Sequence, residues 1–219
     1  MRARDRTGWQ SVLLVDDELR SIPWDRAIDV GPDRREDADG HDAAEVLAAL
    51  WDCVQAEDAG DLDDEDDEDM LAPFTRAWPG LASSRSIPRD PDAVAVRVAA
   101  GLLRDAWPRG ARGALVPARR SADILTSLGW IGACNHADTG PLTAVLRSWE
   151  DRFRTRLVAV HFDRVDLSVA RPPRTTKEAL AVAAEHHAFC PDNVRQGYET
   201  IRAYARHLVG REHWTFWRD

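Results

Sequence analysis

The sequence RLVAVHFDRVDLSVA, residues 156–170, contains two short apolar runs separated only by residues 163–165. Short runs rich in Val and Leu are typical of buried strands, and so brief a connection predicts a β-hairpin. Strands and helices alternate on both sides of this hairpin. The pattern therefore predicts an α/β fold, with a mixed sheet of about five strands flanked by helices.

The elements around the hairpin follow from hydrophobic periodicity. Apolar residues at three- and four-residue spacing predict helices over residues 43–56, 92–107, 139–153, 176–189 and 198–209, and a short helix beginning at Ser121. Further strands are predicted at residues 11–15, 113–118, 130–134 and 213–217. Alternation in the last strand predicts that Trp214 and Phe216 close the core, while Trp217 faces the other way.

Charge divides the chain into two portions. Residues 1–110 carry 26 acidic and 13 basic residues, whereas residues 111–219 carry 12 acidic and 16 basic residues. The first portion is interpreted as irregular and acidic, with two helices and a disordered acidic loop at about residues 57–70, because a run of like charges repels itself. This run lacks the ligand spacing of a calcium-binding loop. The second portion is interpreted as the α/β domain.

Composition excludes several classes of function. The net charge of -9 disfavours nucleic-acid binding. No apolar run is long enough to span a membrane, and the N-terminus lacks the pattern of a signal peptide. Three cysteines at wide spacing do not form a secreted disulfide framework, so we expect a cytoplasmic protein with free or ligating thiols.

Dispersed motifs in the second portion carry a resemblance to a known family. They are LVPA (115–118), SAD (121–123), AVLRSWEDRF (144–153), HFD (161–163), the Pro172-Pro173 pair, AAEHHAFCPDNVRQG (183–197) and WTFWRD (214–219). Together they resemble the bacterial family called domain of unknown function 4253, which implies no established activity. The chain departs from the family at Arg164, where Thr is frequent, and at Arg218, where Trp is typical. If either position lines a site, that site is altered here.

The most specific of these motifs contains the main candidate site, residues 185–192, termed here the 185–192 block. His186 and Cys190 are four residues apart on a predicted helix and therefore share a face, as two zinc ligands would. Asp192 is the third candidate ligand, and the set could be completed by His161, Asp163, Cys134 or His136. The alternative is structural: Cys190 packs as a small apolar group and the polar residues brace the backbone.

Two enzymatic alternatives use overlapping residues. In the first, Cys190 is a nucleophile, His186 takes its proton, and Asn135 or Asp163 orients the imidazole. The negative end of the helix dipole disfavours that thiolate. In the second, Glu185 performs acid–base chemistry with His161 and Asp163, which share one side of a strand.

We expect a protein-binding or interaction module, of which an immunity-type protein is one form, because no phosphate-binding loop or nucleophile-elbow motif is present. The alternative is a metal-dependent or Cys/His enzyme built on the 185–192 block, with Asn135 and Asp163.

Overall fold

The computed structural model describes residues 8–15, 38–61, 69–83, 85–104, 110–133 and 137–217. Its strands are β1 (Trp9–Leu14), β2 (Arg112–Pro117), β3 (Thr155–Val160), β4 (Arg164–Val169) and β5 (His213–Trp217). They form one sheet in the order β2-β1-β3-β4-β5, in which β1 and β3 are parallel and the other neighbours are antiparallel. The predicted α/β class, the five-stranded mixed sheet and the β3–β4 hairpin are confirmed.

Helices flank the sheet. They are α1 (Ala43–Asp61), α2 (Pro91–Arg104), α3 (Ile124–Leu128), α4 (Thr139–Phe153), α5 (Thr176–Phe189), α6 (Asp192–Arg195) and α7 (Ile201–Leu208). Helices α4 and α5 have the predicted bounds. Helix α1 continues five residues beyond its predicted end into the acidic run, of which residues 62–68 lie outside the described part. No described helix combines the length and apolar character needed to cross a bilayer.

Residues of the acidic N-terminal portion take part in the sheet. Strand β1 pairs with β2 along its whole length and with β3 at Leu13 and Leu14. Asp39, in the 3-10 helix Ala38–Gly40, pairs with Arg147 of α4. Two strands that lie far apart in sequence, β2 and β3, are therefore joined by a strand from the other portion of the chain.

The strand predicted at residues 130–134 does not form in the described part of that segment, and Cys134 lies outside it. The Trp130 indole N–H donates to the carbonyl oxygen of His161, 2.8 Å away and just beyond β3. A Cβ at Gly132 would collide with the carbonyl oxygen of Phe162. The segment thus crosses the end of β3 instead of pairing beside it, where β1 already lies.

The core is centred on Trp149 of α4. Its ring is stacked on Phe216 at 5.1 Å between centroids and contacts Phe189 and Trp214 at 4.9 and 5.9 Å. Trp214 and Phe216 are buried in this core as predicted, whereas Trp217 is only partly buried. The strand predicted to close the core therefore does so.

We predict that residues 111–219 do not fold alone, because removal of β1 separates β2 from β3. The isolated fragment should lack a cooperative unfolding transition in circular dichroism, and co-expression with residues 1–110 should restore it. A cooperative transition of the fragment alone would show that β1 is dispensable.

Candidate functional site

Glu185, the first residue of the 185–192 block, lies fully buried between α5 and α4. Its two carboxylate oxygens form a bidentate ion pair with Arg152, at 2.6 and 2.7 Å from the guanidinium nitrogens. The Trp149 indole N–H and the Ala82 backbone N–H donate to the same carboxylate, at 2.6 and 2.5 Å. Arg152 also donates to the Ala82 carbonyl oxygen at 2.6 Å.

Each Glu185 oxygen thus accepts two hydrogen bonds. A buried charge is tolerated when it is paired and its lone pairs are satisfied, and this one meets both conditions. The carboxylate is thus occupied by donors of the protein itself. Its contacts instead join α4, α5 and the chain near Ala82, which is a structural role.

His186 is also buried, in a cage of aromatic rings. Trp149, Trp214 and Phe216 surround it at centroid distances of 5.0, 4.5 and 4.8 Å. Burial, with a contribution from the charge of Arg152, holds the pKa of His186 well below its usual range. At neutral pH the imidazole is therefore neutral.

The two ring nitrogens of His186 have different surroundings. Its Nδ1 lies 2.9 Å from the Tyr204 hydroxyl, which also accepts a hydrogen bond from Asn193 Nδ2 at 3.1 Å. Its Nε2 is buried without a hydrogen-bond partner among the described residues. Nδ1 is thus engaged by Tyr204 within the core.

Cys190 and Asn193 cover the free edge of the sheet. The Cys190 thiol donates to the Trp217 carbonyl oxygen at 2.9 Å, and Asn193 Nδ2 donates to the Thr215 carbonyl oxygen at 2.6 Å. Both acceptors belong to β5, the edge strand. Unpaired groups on an edge strand invite pairing with other chains, so these two side chains protect the edge. This arrangement gives the end of the 185–192 block a structural function.

Of the remaining predicted site residues, Asp192 and Asp163 lie in the described part of the chain, at the start of α6 and just after β3. Asp192 is partly exposed and accepts a hydrogen bond from Gln196 on its own turn, at 3.2 Å. Asp163 lies in the β3–β4 turn, and Asn135 lies outside the described residues, as do Cys134 and His136. Within the described part of the chain, no three His, Cys, Asp or Glu side chains are arranged to hold a metal ion. A zinc site therefore stays a prediction that depends on residues 134–136.

A second polar cluster, not predicted from the sequence, surrounds Asp166 of β4. This fully buried carboxylate lies 3.0 Å from His161 Nε2 and 2.9 Å from His213 Nε2. It also accepts hydrogen bonds from the Thr215 hydroxyl at 2.7 Å and from Arg164 Nη2 at 2.9 Å. These residues are termed the Asp166 cluster.

Electrostatics keep Asp166 charged. Burial alone would raise its pKa, but hydrogen bonds from His161 and His213 and the charge of Arg164 outweigh burial and hold the pKa far below the usual range. An acidic residue inside a buried apolar strand must be paired. Its place in the predicted strand could therefore have indicated that Asp166 has a partner. Sequence alone could not show that His213, 47 residues away, is one of its partners.

A cavity of about 420 Å³ adjoins the cluster at the edge of β5. Among the residues that line it are Tyr198, His207, Arg211, His213, Thr215 and Trp217. Its volume lies within the usual range for small-molecule sites. Of the Asp166 cluster, His213 and Thr215 line this cavity.

A different surface, on the opposite edge of the sheet, is apolar. Because Val12 packs in the core, alternation places Trp9, Ser11 and Leu13 of β1 on the other face of the sheet, beside Leu115 of β2. A cleft of about 320 Å³ lies between these strands and α2. Exposed apolar side chains mark this face: Leu115 (68%), Val96 (67%), Leu103 (52%) and Trp9 (47%). We call it the β1–β2–α2 face.

Comparison with known proteins identifies one family. Residues 112–219 match the family described as Domain of unknown function (DUF4253). No curated protein and no solved structure matches the chain. Arg164, at which the chain departs from the resembled pattern, is the cation of the Asp166 cluster.

The buried histidines predict acid sensitivity. Burial, assisted by Arg195, lowers the pKa of His187 to about 3. The unfolded chain, in which a histidine pKa is about 6.5, then binds a proton that the folded chain does not. The contribution of a buried neutral histidine to the free energy of unfolding is therefore fully present above about pH 6.5. It falls as the pH decreases, by up to ~1.4 kcal/mol per pH unit for each such histidine.

We predict that His187→Gln makes the free energy of unfolding less dependent on pH between about 6.5 and 5, above the range in which carboxylates contribute most. Denaturant unfolding across this range measures the slope. The matched substitution His41→Gln, at an exposed position, should keep the wild-type slope. An unchanged slope in His187→Gln would show that His187 is protonated in the folded chain.

Proposed function

We propose that this chain, whose residues 112–219 belong to the DUF4253 family, is a cytoplasmic protein-interaction module that binds its partner on the β1–β2–α2 face. The observation that carries the proposal is the apolar cleft between β1, β2 and α2, whose lining residues Leu115 and Val96 are 68% and 67% exposed. Contiguous apolar surface of this kind marks protein-binding sites in soluble proteins. The free thiols of Cys53 and Cys190 fit a reducing compartment.

The helical side of the β1–β2–α2 face supplies a row of apolar groups. Val96 and Ala99 of α2 line the cleft, and Leu103 lies on the same side of the helix at the next turn. Leu115 forms the facing wall on β2. Burial of one such leucine or valine side chain contributes about 1.5–3 kcal/mol, so a few residues supply substantial affinity.

The edge of β2 is less suited to binding than the face. Ala118 N–H donates to the Gly8 carbonyl oxygen, so alternation directs position 117 toward the free edge. Pro117 has no N–H to offer there, and Arg112 stands at the other end of the strand. Proline and charge on an edge strand oppose pairing with another strand. We therefore infer a partner that packs an apolar helix into the cleft.

The test is site-specific photo-crosslinking in cells that make the protein naturally. A photoreactive phenylalanine analogue replaces Leu115 or, as a control, the exposed Lys177 on α5, in the helical layer across the sheet. We expect one discrete adduct with a different protein from position 115, its loss when Val96→Glu is added, and none from position 177.

Three outcomes would contradict the proposal. They are the absence of a discrete adduct at position 115, the same adduct from both positions, and an adduct that contains only a second copy of the chain. Because Leu115 and Val96 are exposed, charged substitutions there should change the free energy of unfolding by no more than about 0.5 kcal/mol. Thermal unfolding of each variant checks that loss of the adduct is not loss of the fold.

A further inference from the structure

We propose that the cavity beside β5 binds a small organic anion through Arg211 and His213, with Asp166 as the residue that positions His213. This site lies at the sheet edge opposite to the β1–β2–α2 face and does not depend on the interaction proposed there.

The charges of the lining favour an anion. Arg211 lines the cavity, and its Nε donates to the His207 carbonyl oxygen at 3.3 Å, which restrains the side chain. The one acid among the lining residues, Glu212, is paired with Arg89 and Arg97. Burial and the charge of Arg211 lower the pKa of His207, so that side chain is neutral at neutral pH. Arg211 is thus the fixed cation of the lining.

His213 supplies a second donor to the same space. Its Nε2 faces Asp166 Oδ1 at 2.9 Å, and Thr215 Oγ1 lies 3.2 Å from the same nitrogen. Because Asp166 accepts a hydrogen bond at Nε2, a proton is placed on that nitrogen. No described residue forms a hydrogen bond with Nδ1. A protonated Nδ1 can therefore donate to an anion in the cavity.

The Asp166 cluster holds His213 in place. Asp166 of β4 and Thr215 of β5 lie within hydrogen-bond distance of His213 Nε2. Asp166 itself accepts a hydrogen bond from Arg164 and lies beside His161. These contacts restrain the His213 ring beside the cavity.

Aromatic rings favour an organic ligand over a bare inorganic ion. Tyr198 and His207 are 4.9 Å apart between ring centroids and form one wall. Tyr204 stands 5.1 Å from Tyr198, and Trp217 also lines the cavity. Flat apolar surfaces pack well against planar ring systems, while the cations bind an acidic group.

The test uses two probes, benzoate and inorganic phosphate, with the full-length protein. Binding is followed by the side-chain resonances of isotope-labelled histidine in NMR spectra, at up to ~10 mM of each probe. We expect saturable binding of benzoate with a perturbed His213 signal, and weaker binding of phosphate.

Three substitutions localise the binding. Arg211→Gln and His213→Gln should each weaken benzoate binding about tenfold or more, since each removes a charged contact. Arg206→Gln removes an exposed arginine of α7 that does not line the cavity, and it should keep the wild-type affinity. In His213→Gln the new side-chain amide can still donate toward Asp166, so the fold should be retained.

Three results would refute an anion site here. They are no binding of either probe, an equal loss of benzoate binding in all three variants, and binding that leaves the His213 signal unperturbed. Phosphate binding stronger than benzoate binding would overturn the organic character of the ligand.

Discussion

The buried ion pair between Glu185 and Arg152 is the constraint on which the rest of the structure depends. It joins α5 to α4, holds the Trp149 indole at the centre of the aromatic core, and fixes the backbone at Ala82. Loss of one partner of a buried pair generally costs about 3–5 kcal/mol, because the other charge is left uncompensated. The carboxylate thereby accepts a hydrogen bond from the ring that contacts Phe189, Trp214 and Phe216.

This constraint changes the interpretation of the 185–192 block. Glu185 is saturated with donors, His186 Nδ1 is hydrogen-bonded with Tyr204, and Cys190 protects the edge of β5. Chemistry-bearing residue types at catalytic spacing can therefore serve the core of a fold. The two surfaces for which binding is proposed, the β1–β2–α2 face and the cavity beside β5, lie at opposite edges of the sheet.

Local patterns in the sequence predicted the local structure well. The bounds of α4, α5 and β5 follow from short-range periodicity and stop signals, which act within a few residues. The place of β1 between β2 and β3 could not be predicted in this way, because it depends on pairing across more than 90 residues of sequence. The Asp166 cluster escaped prediction for the same reason, since His213 reaches it from a distant strand.

Hydrogen exchange at two protons tests the central claim, that the Glu185 carboxylate is an inaccessible structural group. The protons are the Trp149 indole N–H and the Ala82 backbone N–H, both of which donate to Glu185. We expect both protons to exchange only through global unfolding. Their free energies of exchange should lie within about 1 kcal/mol of the free energy of unfolding measured with denaturant. Exchange at a free energy several kcal/mol lower would show that the carboxylate opens to solvent in the folded chain, as a reactive group would.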